Sequence, residues 1–515
     1  MTKENLILLA DAYKYSHHKL YIPGTQHIYS YLESRGGKFD ETVFYGLQYF
    51  LKEYLEGVVF TKEKLDEAAV TLKEVFGRDD VFDRSRFEYI ISKHGGKLPV
   101  RIKAVPEGTV VPVRNVLMTI ENTDPECYWL TNFLETLLMQ VWYPCTVASL
   151  SREIKKVVKR YYDDTASAAA FAGIDFVLND FGFRGASSVE SAGIGGSAHL
   201  VSFSGSDTIA ASIFAKRYYN AATAPGLSIP ATEHSIVTML GEPGELDIFK
   251  HVLNTFPTGT IACVSDSYNI FRACEEYWGT ELKEQILSRQ GTLVIRPDSG
   301  DPVQTLLRVF DILMNKFGFT VNEKGYKVLP PQVRVIQGDG ISYSSIPGIF
   351  EALKKAGISA ENLVLGMGGA LLQRVNRDTQ EFALKCSYAE VNGKGINVQK
   401  MPVEMDANGQ LQTSFKKSKA GKLKLVKENG AFKTLGTDEA PELEDLLETV
   451  FENGAVTKNM VFRHRPPGSR FIISFLFPPV RLPPFHRPGL TPRAFFRKSV
   501  NFTVCTCSSP DATTC

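Results

Sequence analysis

The chain has 515 residues, 43% hydrophobic and 22% charged, with a formal net charge of +1. That length exceeds one small core and calls for two domains, or for one barrel with additions. The near-neutral balance gives no global reason to expect nucleic acid or an anionic membrane as partner, and no apolar stretch is long enough to span a bilayer.

In chain order, residues 6–10 form a short apolar run that meets Asp11 at once. No secretory leader is therefore expected, and the location is read as cytoplasmic. The eight Cys are mostly scattered singly, which fits reduced thiols better than a disulfide framework. Residues 41–57 and 61–76 carry apolar side chains at helical spacing. Residues 99–105 and 115–120 read as strands separated by the Pro106-Glu107-Gly108 turn, and 129–142 and 151–162 as helices.

From about Phe176 the rhythm changes. Runs 176–178, 261–264, 293–295, 333–336 and 363–365 are short, apolar and β-rich, each followed by a loop with Gly, Asp, Ser or Arg. Most of these loops lead into helices, as at 268–278, 303–317 and 346–356. Repeated strand–polar loop–helix units predict an α/β fold with an irregular (β/α) barrel, a flat doubly wound sheet being the competing arrangement. The division expected is 1–150 as a mixed α/β part, 151–384 as the barrel-like catalytic domain, and 385–462 as a return to the first part. The Pro/Arg-rich segment 463–515 has no helical or strand period and reads as an atypical tail, disordered or a sequence artefact.

Chemistry-bearing residues fall just after the apolar runs. Gly338-Asp339-Gly340 and Gly366-Met367-Gly368-Gly369, with Arg377 downstream, suit phosphate, although each alone is also a tight turn. Arg296 and Asp298 offer a cation for phosphate and an acceptor for ribose hydroxyls, or a structural ion pair. Phe181, Phe183 and Arg184 suit a planar heteroaromatic ring, or simply a core. Glu233-His234 suits proton or phosphoryl transfer, or a bland polar loop. No His/Cys metal spacing, Walker A motif or Gly-x-Ser-x-Gly elbow occurs.

Together, LLADAYKYSH (8–17), FYGLQY (44–49), ENTDPECYWLTN (121–132), DFGFRG (180–185), AGIGGSAHLV (192–201), ATEHS (231–235), VSDSY (264–268), IRPDSG (295–300), VIQGDG (335–340), LLQRVNRD (371–378) and KCSY (385–388) resemble the nicotinamide phosphoribosyltransferase family, in family order to about Phe462. The resemblance implies a type II phosphoribosyltransferase: a mixed α/β domain from both chain ends, a central irregular barrel, and a homodimer with shared sites. It implies transfer of phosphoribose from 5-phosphoribosyl pyrophosphate to nicotinamide, with Mg²⁺ as cofactor and ATP as activating co-substrate. By position, Phe181 and Tyr13 of the partner subunit would sandwich the ring, Asp207 would accept the carboxamide NH₂, and Arg184 would lie beside ring and pyrophosphate. Arg296 and Asp298 would hold phosphate and ribose; Gly338, Asp339, Gly368 and Gly369 the ribose and 5′-phosphate; Arg377 phosphate. Asp11, Arg35 and Lys385 would reach across the interface. His234 would be phosphorylated by ATP, oriented by Glu233 and Asp266.

Two rivals remain open here. A nicotinate phosphoribosyltransferase would run the same reaction on an acid, but an Asp207 carboxylate would repel that substrate at short range in a poorly solvated site. A non-catalytic binding or signalling protein on the same scaffold is the other.

Overall fold

Two sheets organise the computed structural model, which describes residues 4–405, 409–413, 417–462 and 474–476. The first is antiparallel and seven-stranded. Its spatial order is Lys394–Asn397, Phe382–Val391, Thr25–Ser34, Val116–Asn122, Val100–Ala104, Glu448–Glu452, Ala455–Val456. Strands from both chain ends thus share one layer. The long Thr25–Ser34 strand (TQHIYSYLES) is interior to it, with aromatic and β-branched residues that fit a pleated surface. It sets Tyr31 opposite Lys385 on one side and Thr119 on the other.

The second sheet is parallel and six-stranded, in the order Gly205–Ser206, Leu178–Asp180, Leu363–Met367, Val333–Gln337, Leu293–Arg296, Ile261–Val264. The strands Val333–Gln337, Leu293–Arg296 and Ile261–Val264 are largely buried and read as short, mainly apolar runs, as a sheet covered on both faces requires. Single parallel bridges, Gly205 to Leu227 and Ala231 to Ala262, let the 227–231 segment join the two edge strands. That makes the sheet an irregular barrel. Helices such as Pro302–Phe317 and Ile346–Lys355 bury Leu306, Val309, Phe310, Ile349 and Phe350 in the main core. Ala262, Val294 and Ile336 form a separate apolar cluster with Phe181 and Val364.

The Lys62–Phe76 helix matches its pattern closely: Thr61 accepts from the Lys64 N–H, Leu65, Ala68 and Leu72 form the buried stripe, and left-handed Gly77 ends it. Elsewhere the structure differs from expectation. Within 41–57, Glu41–Val43 is a strand paired with Val110–Pro112, and the helical part starts at Leu47. The expected 129–142 helix is two short turns, Leu130–Phe133 and Glu135–Met139, before a continuous Trp142–Thr165 helix. The first barrel strand is Leu178–Asp180, because Ala168–Phe176 winds as 3-10 turns.

The helices Val189–His199, Ile209–Tyr219 and Glu245–Thr255 lay outside the expected set. The Gly-rich first of these packs against Trp142–Thr165 so closely that a Cβ at Gly195 would lie 2.2 Å from the Tyr143 hydroxyl. The tail reading for 463–515 lies largely outside the described residues. Ser474–Leu476 is described, and it is a strand antiparallel to Asn459–Val461. All described residues fall in one compact unit, Met1–Leu476. Among them, no helix is long and apolar enough to cross a membrane.

Candidate active site

Parallel strands deliver their carboxyl ends to one side, and the barrel's polar residues gather there. A cavity of about 350 Å³ is lined by Phe181, Asp207, Ala262, Val294, Arg296 and Ile336. Phe181 donates its N–H to the Met367 carbonyl at 3.0 Å. Its ring occupies the space a side chain at residue 366 would take, since a Cβ on Gly366 would meet it at 2.1 Å. Asp207 is held by its N–H to the Asp180 carbonyl at 2.9 Å, and its carboxylate accepts from the Ser228 hydroxyl. The ring-stacking and amide-reading candidates therefore share one cavity. Asp207 is, however, exposed in the single chain and not the poorly solvated acid expected, because it stands just beyond the strand end.

Of the phosphate candidates, Arg296 lines the same cavity and Gly338 lies beside the Phe181 ring. Arg296 Nη2 lies 3.6 Å from Asp298 Oδ2, and Arg296 Nε is buried without a hydrogen-bond partner. Burial pushes the Asp298 carboxyl up, with the Asp266 and Asp339 carboxylates adding to the shift and Arg296 and His234 opposing it. A Cβ on Gly338 would sit 2.7 Å from Asp298 Oδ1 and 3.7 Å from the Phe181 ring. The turns after the first and last barrel strands pack backbone on backbone: a Cβ on Gly185 would lie 3.1 Å from Gly369 Cα. Gly368 leads into the short Gly369–Leu372 helix. Arg184 and Asp339 are exposed beside these turns, and Arg377, also exposed, pairs with Asp378 at 3.0 Å.

His234 opens a short helix, with Nε2 3.1 Å from Asp266 Oδ1. Asp266 Oδ2 in turn accepts from the Asp298 N–H at 3.0 Å and the Ser299 hydroxyl at 2.6 Å. One carboxylate thus ties the histidine to the Arg296–Asp298 loop. Glu233 is a correction: as the extended N-cap residue it accepts from the Ser235 hydroxyl two residues on, and Asp266 is the carboxylate bonded to His234.

A further group lies at the antiparallel sheet. Burial lowers the Lys385 ammonium pKa, and the nearby cations Arg35, Lys400 and Arg377 lower it further, against Glu135. Lys400 was not foreseen; no local motif marks it, and the fold alone brings it beside Lys385. Asp11 accepts from the Thr136 hydroxyl at 2.8 Å. Tyr13 is 58% exposed, its ring edge-on to His17 within its own chain. His94, Asp124 and Cys127 bring potential metal-ligand atoms within 4.8 Å of one another, unannounced by any sequence spacing. There His94 Nε2 and Asp124 Oδ2 are hydrogen-bonded directly at 2.7 Å, and Asp124 caps the following turn.

The nicotinate phosphoribosyltransferase family profile matches residues 176–455, and the nicotinamide phosphoribosyltransferase N-terminal domain profile matches 5–102. The chain is 45% identical to the nicotinamide phosphoribosyltransferase of Xanthomonas campestris pv. campestris, over 88% of this chain and 96% of that one. It is 32% identical to the enzyme of the same name from Acinetobacter baylyi, over 86% and 93% respectively. In fold it is similar to a nicotinate-nucleotide pyrophosphorylase of Pyrococcus furiosus, with a TM-score of 0.54 at 14% identity, covering 91% of this chain and 94% of that one. Human nicotinic acid phosphoribosyltransferase follows at a TM-score of 0.50 and 16% identity, covering 89% and 91%. On the strength of both sequence and fold, this chain belongs to the nicotinamide phosphoribosyltransferase family.

Proposed function

We propose that the chain joins nicotinamide to 5-phosphoribosyl pyrophosphate, releasing pyrophosphate and forming nicotinamide mononucleotide for NAD salvage. The observation that carries this reading is the single cavity in which Phe181 and Asp207 stand beside Arg296. An aromatic face takes the pyridine ring, a carboxylate accepts from the carboxamide, and the Gly338 and Gly368 turns lie against Phe181. The ring nitrogen of nicotinamide is a neutral nucleophile, so no strong base is required. Rate comes from holding ring and sugar in line and from cations that take up charge on the leaving pyrophosphate.

The Asp339 and Asp266 carboxylates oppose ionisation of Asp298, and a hard cation beside the Asp298 oxygens would relieve that repulsion. They fit Mg²⁺, which when bound supplies neutralising charge to pyrophosphate. ATP activation is read from His234: with Nε2 on Asp266, Nδ1 is the nitrogen left for a phosphoryl group. A homodimer with shared sites is read from Tyr13, an exposed aromatic near the exposed Leu20 and Ile22. The reading places the enzyme in the cytoplasm.

Mass-spectrometric detection of nicotinamide mononucleotide from the two substrates, with and without ATP, tests the reading. Faster turnover of nicotinate than nicotinamide would reverse the substrate assignment.

A further inference from the structure

Asp180 ends the first barrel strand and is fully buried, at 0% exposure. Two of its bonding groups touch the two arms of the ring site. Its carbonyl accepts the Asp207 N–H at 2.9 Å, fixing the amide-reading arm. Its carboxylate Oδ1 accepts the Gly182 N–H at 2.7 Å, fixing the turn that follows Phe181. Its Oδ2 faces the start of the Ile209–Tyr219 helix, where neither it nor Thr208 Oγ1 makes a hydrogen bond of ordinary geometry. The glycine at 196 is required there, because a Cβ would lie 3.0 Å from Oδ2 and 2.8 Å from Ala211 Cβ. A carboxyl kept this dry is costly for stability alone, since an apolar or amide side chain would avoid the desolvation.

We propose that Asp180 is a positioning residue for nicotinamide: its carboxylate holds the turn after Phe181 through the Gly182 N–H, setting the ring at the spacing it needs from Asp207, which the backbone carbonyl of Asp180 holds. The proposal rests on nicotinamide being the substrate. It acts through its two neighbours and touches no reacting atom.

The charge state of Asp180 gives the lock a pH dependence. Burial pushes its carboxyl up to about 6; the Asp207 carboxylate adds to this, and the Gly182 N–H and the hydroxyls of Thr208 and Ser206 oppose it. From the Trp142–Thr165 helix the Tyr143 phenol also faces it, itself pushed up by burial and by Asp180. None of these is a cation. A raised acid is ionised above its folded pKa and neutral below. The charge-assisted bond from Gly182 is therefore present above about pH 6 and weakens as pH falls through that value.

The test compares KM for nicotinamide and for 5-phosphoribosyl pyrophosphate in wild type, Asp180→Asn and Asp180→Ala across pH. Asp180→Asn keeps the shape and one acceptor. Its KM for nicotinamide should exceed wild type by about fivefold at about pH 8 and converge with it at about pH 5. Groups common to both proteins, such as His234, cancel in that ratio. Asp180→Ala should raise the nicotinamide KM further, with KM for 5-phosphoribosyl pyrophosphate changed less than about twofold. A pH-independent KM ratio, or a parallel rise in both KM values, would overturn the proposal. If Asp180→Ala does not fold, the Asn ratio decides alone. Wild-type protein that makes no mononucleotide from nicotinamide would instead sink the substrate reading itself.

Discussion

Glycine at 366 is a steric condition of the ring above it. A methyl group there would lie 2.1 Å from Phe181, so Gly366→Ala must tilt the ring or push the Leu363–Met367 strand aside. Because Phe181 is anchored by its own backbone at Met367, the ring is the part that gives. Gly366→Ala should raise KM for nicotinamide by about tenfold, the value of one aromatic contact, with a smaller loss of thermal stability. A nicotinamide KM equal to wild type would show that the ring does not bear on the substrate. Asp207→Asn tests the other arm. The substitution leaves an acceptor for Ser228 but removes the charge that strengthens the bond from the carboxamide. KM for nicotinamide should rise by about ten- to a hundredfold while nicotinate use improves, read by parallel assays of the two bases. An unchanged ratio of the two bases removes the specificity role from Asp207.

At the scale of loops and strands, the Asp266 carboxylate connects the His234 helix to the Arg296–Asp298 loop through one oxygen each. Asp266→Asn replaces a charge that favours the imidazole as phosphoryl acceptor with a neutral amide. The rate of labelled phosphate transfer from ATP to the protein should fall by about 100-fold. Transfer at the wild-type rate would dissociate His234 from Asp266. The strand ends that carry these residues were legible in the sequence, because each buried parallel strand is a short apolar run whose polar residues begin where the strand stops. The partner of Glu233 was not legible. The family resemblance implied an orienting bond to His234, whereas in the structure Glu233 accepts from the Ser235 hydroxyl. The 227–231 closure was hidden too, since its bridges involve single residues and leave no period.

On the scale of the molecule, the sheet shared by both chain ends was expected from the return to short strands after residue 385, and its partners are set by register that no local pattern records. The register brings Lys385 onto the strand paired with Thr25–Ser34, which ends just before Arg35, and Arg377 and Lys400 come near from the connecting segments. Residues gathered in this way need not serve the cavity of their own chain. Tyr13 is the clearest case, with its ring largely exposed and, among the aromatics of the described residues, only His17 against it. If it completes the site of a second copy, Tyr13→Ala and Phe181→Ala each disable every site of their own homodimers. Mixed, unfolded together and refolded, they should reassort so that half the dimers carry one intact site, restoring about a quarter of wild-type activity. The mixture is assayed for mononucleotide formation against each variant alone and against wild type treated in the same way. Recovery to that level requires that Tyr13 and Phe181 act across subunits. A mixture no more active than its components, with wild type refolding normally, would place Tyr13 outside the ring site and leave the exposed aromatic to another role.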